Sequence, residues 1–323
     1  MRKQVLWAFL CGLLLPLVLA AVGGREASPP TVPEGESEGI TISLEDRLWD
    51  AQTRIMVLTP SGNVRQMRLS EYLAGVVLAE MPTDFEDEAL KAQAVVARTY
   101  TCKRMEHYKH GAAAVCMDSG CCQGFWDEED YVNSGGSQEA LDRIRSAVTS
   151  TDGLVLYYGG ELIDATYFSC SGGFTEDAAA VWGQDVPYLQ SVESPGEENA
   201  PRYVSTVRYT PENFCLVTGC GGEGNPSGWF GQVRYTDGGG VESMKICGKT
   251  YTGTQLRSAL NLRSTLFSIR VESGMIVIET KGFGHRVGMS QYGAQAMALE
   301  GSAFEQILKH YYTGTVLRNQ GGA

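Results

Sequence analysis

The chain has 323 residues and a formal net charge of −12. An acidic chain with no basic block excludes nucleic acid as its main partner. Apolar content of 43% and charged content of 20% exclude a disordered or fibrous chain, and the length suits one large domain or two moderate ones.

The N-terminus opens with Arg2 and Lys3, then runs 18 residues, Val5 to Val22, without a charge. That length reaches the lower limit of a spanning helix, so residues 1–22 read as a membrane anchor or a signal segment. The two basic residues place the start in the cytoplasm and the body outside it. Gly23 to Gly39 is rich in Gly, Pro, Ser and Glu, so a flexible linker is expected over 23–45.

Arg54–Leu58 and Val64–Arg68 read as strands joined around Gly62-Asn63, a hairpin signal. Ser70 offers an N-cap for a helix carrying Tyr72, Leu73, Val76, Val77 and Glu80, which Pro82 ends. A second, Ala-rich helix follows from about Asp87 to Met105, with Lys91 and Arg98 on it. Ser137 caps a helix over Gln138–Val148. Leu154–Tyr158 and Glu161–Asp164 flank Gly159-Gly160 as a second hairpin, and Thr166–Ser169 continues the strand pattern. Asp177–Asn199 reads as a loop, and Thr254–Leu260 as a short helix. Leu266–Val271 and Met275–Thr280 form a hairpin around Ser273-Gly274, and a last helix spans about Ser302–His310. Strand pairs and helices come in separate blocks, so the expected class is α+β: helices around a central cleft with antiparallel hairpins, plus the N-terminal membrane helix.

Four stretches carry chemistry. Glu80 is a lone acid at a helix end between Ala79 and Met81. An acid in apolar company can hold a proton and act as a general acid, although most Glu residues are simply solvated. His110, Cys116 and Cys122 place one imidazole and two thiols within a 13-residue loop. Such a set suits tetrahedral zinc, with Cys121 or water as fourth ligand; free or disulfide-bonded thiols are the alternative. The small residues from Ser169 through Ser171 to Thr175 let a bulky ligand approach the backbone. The Gly-rich stretch from Gly282 offers His285, Ser290 and Gln291 as polar tips, and also reads as a plain turn into a helix. No G-x-S-x-G frame supports a serine nucleophile, and no H-E-x-x-H motif supports a catalytic zinc.

LSEYLAGVVLAEMP, EALKAQAVVARTYT, YFSCSGGFTEDAAAVWG with VPYLQSV, and GFGHRVGMSQYGAQAMA together resemble the stage II sporulation protein D family, whose domain amidase enhancers share. The resemblance covers about Ile55 to Tyr312, within a body expected over 46–315. It implies a membrane-tethered lytic transglycosylase of peptidoglycan. Such an enzyme cleaves the bond from N-acetylmuramic acid to N-acetylglucosamine in strands stripped of stem peptides, and leaves 1,6-anhydro ends. It also implies work on the septal wall during engulfment in sporulation, and a cell-wall amidase as partner. The alternative is a non-enzymatic glycan-binding activator of such an amidase. The family's essential Glu matches Glu80, and its basic residues match Lys91 and Arg98. Its Thr matches Thr175 and its Tyr matches Tyr188. A structural zinc is implied at His110, Cys116 and Cys122. The chain departs at Cys121, where a His is common, which leaves the fourth ligand open. One carboxyl suffices for this reaction, because the sugar's own C6 hydroxyl replaces water.

Overall fold

A computed structural model describes residues 49–201 and 203–321. The charge-free run and the whole 23–45 linker lie outside the described residues. Among those described, no helix is long and apolar enough to cross a membrane.

The 20-residue helix Asp87–Glu106 is the element the others pack on. Asp87 and Glu88 open it and Lys103 and Arg104 close it, which complements the helix dipole. Between them the side chains are buried on every face from Leu90 to Cys102 apart from half-buried Lys91. That is the pattern of a helix enclosed in a core rather than lying on one. Ala89, Ala92, Ala94 and Ala97 are completely buried, and their small side chains admit close neighbours. Helices Leu69–Glu80, Gln138–Ser150, Gln291–Leu299 and Phe304–Tyr311 pack around it, with strand Leu154–Tyr158.

Three small sheets flank this core. Arg54–Leu58 pairs antiparallel with Val64–Arg68, as the sequence predicts, and parallel with Val115–Cys116 on its other edge. Leu154–Tyr158 pairs with Glu161–Leu162 and with Val316–Asn319, so the folded body continues past residue 315. Tyr167–Phe168 lies parallel to Met289–Ser290. Through that pairing, two motifs far apart in sequence come side by side.

A second core forms where the sequence pattern is mixed. Phe267–Glu272, Met275–Lys281 and Val204–Tyr209 make an antiparallel sheet, and Phe230–Tyr235, Val241–Ile246 and Lys249–Thr252 make another. Phe214, Trp229, Ile246, Leu256, Ile276 and Ile278 fill the space between them. The class is α+β, as expected from the block order.

Two local expectations are corrected. Ser70 is not the cap: the helix begins at Leu69, and the Glu71 carboxylate accepts the Arg68 N–H at 3.2 Å. Asp177–Asn199 is not all loop. The Asp177 side chain accepts the Ala179 N–H at 2.7 Å and starts a helix over Ala178–Trp182, while Glu193–Ser194 pairs with Gly173–Phe174. Ser137 does cap its helix, through the Ala140 N–H at 3.1 Å.

Candidate functional site

Glu80 ends the Leu69–Glu80 helix and is half-buried. Two adjoining cavities share it as a wall residue, one of about 980 Å³ and one of about 440 Å³. Leu58, Pro60, Met117, Phe125 and Trp126 line the larger one, with the His110, Cys116 and Cys121 side chains. Tyr100, Tyr167, Ser169, Phe283, His285 and Gln291 line the smaller. Glu80 and Asp118 are the only carboxylates among the lining residues of the two. Asp118 is exposed, and its carboxylate accepts the Gly120 N–H at 2.8 Å.

The loop after Cys122 fixes Glu80. Its Oε1 accepts the Gly124 N–H at 2.6 Å. Trp126 donates its N–H to the Gly75 carbonyl at 3.0 Å, so the loop runs along the Leu69–Glu80 helix. Position 75 must be Gly here, because a Cβ would enter the Phe125 ring, which stacks on Tyr72 at 5.8 Å. The buried Gln123 amide donates to Tyr72 and Thr101 and accepts the Tyr167 hydroxyl at 3.4 Å. Burial, then the charge of Glu80, pushes the Tyr167 hydroxyl well above its ordinary range, so it stays a donor beside that carboxylate.

At the start of the same loop four donor atoms converge. His110, Cys116, Cys121 and Cys122 each bring one ligand atom within 4.8 Å of the others. His110 Nε2 is 3.3 Å from Cys122 Sγ and 3.8 Å from Cys121 Sγ. Those separations suit the edges of a zinc tetrahedron, about 3.5 to 3.8 Å from its bond lengths. Cys121 thus completes a set of four converging donors, the position the sequence leaves open.

Of the remaining expected site residues, His285, Gln291 and Ser169 line the smaller cavity. The Gln291 amide nitrogen is buried and has no hydrogen-bond partner among the described residues. His285 packs against Phe168 and Trp182, and its Nδ1 accepts the Val287 N–H at 3.1 Å. Burial, reinforced by Arg257, lowers its pKa to about 4. The imidazole is therefore neutral and accepting at neutral pH. Its ring protons should titrate near pH 4 in NMR spectra assigned with His285→Asn; a midpoint at the free value of about 6.5 would contradict this packing. Because the unfolded chain takes up that proton first, stability should fall as pH drops from about 6.5 towards 4.

The others lie elsewhere. Arg98 is fully buried, and its Nη2 meets Asp50 Oδ2 at 2.7 Å while both Nη atoms reach the Val148 and Leu154 carbonyls. It has no face left for a ligand. Lys91 pairs with Glu88 at 2.6 Å, one turn back on its own helix, and lines neither cavity. Thr175 is buried and accepts the Val192 N–H at 2.8 Å. The Tyr188 hydroxyl accepts the Asp164 N–H at 3.0 Å. Ser171 and Ser290 are buried and both donate to Glu197, which also takes the Ser194 hydroxyl and the Gly172 N–H. Glu197 thus ties the Gly-rich motifs together behind the cavity wall. Sequence reasoning missed Glu197 and Tyr167; only the latter's place in the strand before Ser169 could have signalled it.

Comparison with known proteins follows this geometry. The family model described as Stage II sporulation protein matches residues 60–158, a span that holds Glu80 and all four clustered donors. The chain is 38% identical over 319 residues to stage II sporulation protein D of Bacillus subtilis (strain 168), covering 95% of this chain and 92% of that protein. It is 38% identical over 262 residues to the protein of the same name from Bacillus amyloliquefaciens, covering 79% of this chain and 76% of that one. An amidase enhancer of Bacillus subtilis (strain 168) is 28% identical over 303 residues, 76% of this chain and 40% of the relative. On the length and identity of these matches, the chain belongs to the stage II sporulation protein D family.

Proposed function

We propose that this protein is a peptidoglycan lytic transglycosylase that cuts denuded glycan strands, with Glu80 as its acid and base. The observation that supports this most is the place of Glu80 on the wall shared by two cavities. A strand occupying both would lay one glycosidic bond against it. Trp126 beside one cavity and Phe283 beside the other are 40% and 43% exposed, and such aromatic faces suit sugar rings.

In its protonated form Glu80 gives its proton to the leaving glycosidic oxygen. The carboxylate then accepts the C6 hydroxyl proton as that oxygen attacks the anomeric carbon, which closes the 1,6-anhydro ring. The Gly124 N–H fixes the carboxyl, and the Tyr167 hydroxyl and Gln291 amide supply neutral donors along the strand. Orientation of this kind contributes most when the groups are held before the substrate arrives.

His110, Cys116, Cys121 and Cys122 would hold a zinc ion, whose role is to clamp the loop that carries Gly124. Metal analysis of the purified chain should find about one zinc, by that ligand count. Cys116→Ser should lose it and make the loop before Trp126 more open to protease. A metal-free chain with a disulfide in this loop would reject the site.

The proposed site of action is the cell wall during sporulation, on the outer side of the cytoplasmic membrane. An amidase that strips stem peptides would prepare the substrate. The purified chain should release muropeptide-free products from denuded strands and little from peptide-bearing ones. The amidase enhancer relative favours a second reading, a glycan-binding activator of an amidase. Undiminished amidase stimulation, with no cleavage of either strand type, would select that reading.

A further inference from the structure

The eight described cysteines fall into three sets. Cys116, Cys121 and Cys122 belong to the donor cluster, and Cys102 and Cys170 are buried apart from it. Cys215, Cys220 and Cys247 gather at the second core. Cys215 lies on helix Pro211–Thr218, whose C-cap Gly219 adopts φ 68°. This left-handed turn folds the chain back, so that Cys220 Sγ comes to 2.8 Å from Cys215 Sγ. Cys247 reaches Cys220 from the tight turn between Val241–Ile246 and Lys249–Thr252. Lys249 holds the Gly219 carbonyl at 2.9 Å, and the Gly222 N–H donates to Cys215 Sγ at 3.3 Å, so the turn is braced on both sides.

Among the described residues, the His110 set is the only cluster compact enough for one ion. The three thiols of the second core are not part of such a set. A disulfide needs sulfurs about 2.05 Å apart, so Cys215 and Cys220 are within about 1 Å of bonding. We propose that Cys215 and Cys220 form a dithiol–disulfide pair, oxidised by an external low-molecular-weight disulfide, with Cys247 as the third thiol beside Cys220.

The exchange balances. Half-buried Cys215, as thiolate, attacks one sulfur of the reagent disulfide and expels one thiolate. Buried Cys220, as thiolate, attacks the Cys215 sulfur and expels the second. Two protein thiols become one disulfide and the reagent becomes two thiols, with the protein's two protons passing to them. Burial and the contact with Cys220 raise the Cys215 pKa, so its greater exposure and not its acidity makes it the first to attack. Hydrogen bonds from Cys215 and Thr218 outweigh burial at Cys220 and lower its pKa, which favours the second attack.

Both cysteines lie between Arg208 and Arg234, on one tryptic peptide, while Cys247 lies between Lys245 and Lys249 on another. The full chain is incubated with oxidised glutathione, quenched in acid, alkylated in denaturant and digested. The expected result is a 209–234 peptide lighter by two hydrogens and unalkylated, with Cys102 and Cys170 alkylated. Cys247→Ser should leave that bond in place. Full alkylation of Cys215 and Cys220 in the folded wild type would overturn the proposal. So would a bond joining the 209–234 and 246–249 peptides, or a metal ion retained by these thiols and lost in Cys247→Ser. None of these outcomes depends on glycan cleavage.

Discussion

Glu80→Gln should reduce glycan cleavage by about 10² to 10⁴-fold, the range of a lost general acid–base group. The amide keeps the shape and can still accept the Gly124 N–H, so fold and strand binding should survive. The loss should therefore appear in kcat with KM little changed. Turnover on denuded strands, measured as released product over time, checks this. Asp118→Asn is the matched control. Asp118 is exposed and already accepts the Gly120 N–H, so its loss should cost little. If Asp118→Asn were as damaging as Glu80→Gln, two carboxylates would share the work, and a hydrolytic mechanism would replace the one proposed.

Arg98→Met should be strongly destabilising. The guanidinium is buried with Asp50, donates to Thr151 and two carbonyls, and lies between the long helix and strand Leu154–Tyr158. Removing it leaves the Asp50 carboxylate buried without its cation, and breaking such a pair costs about 3 to 5 kcal/mol. Asp50 itself sits against Asp152, whose carboxylate accepts the Trp49 and Asp50 N–H groups at 2.9 Å. Burial, then the Asp50 charge, pushes the Asp152 pKa up to about 7. Deleting the one buried cation there leaves two facing acids. Urea unfolding should show a lower midpoint at unchanged slope, and Arg98→Met with Asp50→Leu should recover part of the loss. An unchanged midpoint, with weaker glycan binding, would return Arg98 to the substrate.

The elements most legible in the sequence are those whose signals are local. Gly62-Asn63 and Ser273-Gly274 mark hairpins because tight turns need those residue types, and both pairs form. The long helix declares itself by its alanines and its charged ends. Lys91 carries a local sign of its pairing: Glu88 stands three residues earlier, the spacing of a helix-face pair. Arg98 carried none, since Asp50 is 48 positions away and outside any periodic pattern. The same holds for Ser171 and Ser290, which share Glu197 only because the fold pairs Tyr167–Phe168 with Met289–Ser290. Glu80 and the His110–Cys122 loop were legible as separate residue types. Their connection was not, because it runs through one backbone N–H, that of Gly124.

Wild-type cleavage of denuded strands in heavy-oxygen water tests the single-carboxylate mechanism most directly. Ring closure by the C6 hydroxyl uses no water, so the account predicts 1,6-anhydro-muramyl ends with no heavy oxygen in them. Reducing muramyl ends that carry the label would mean attack by water and would contradict it.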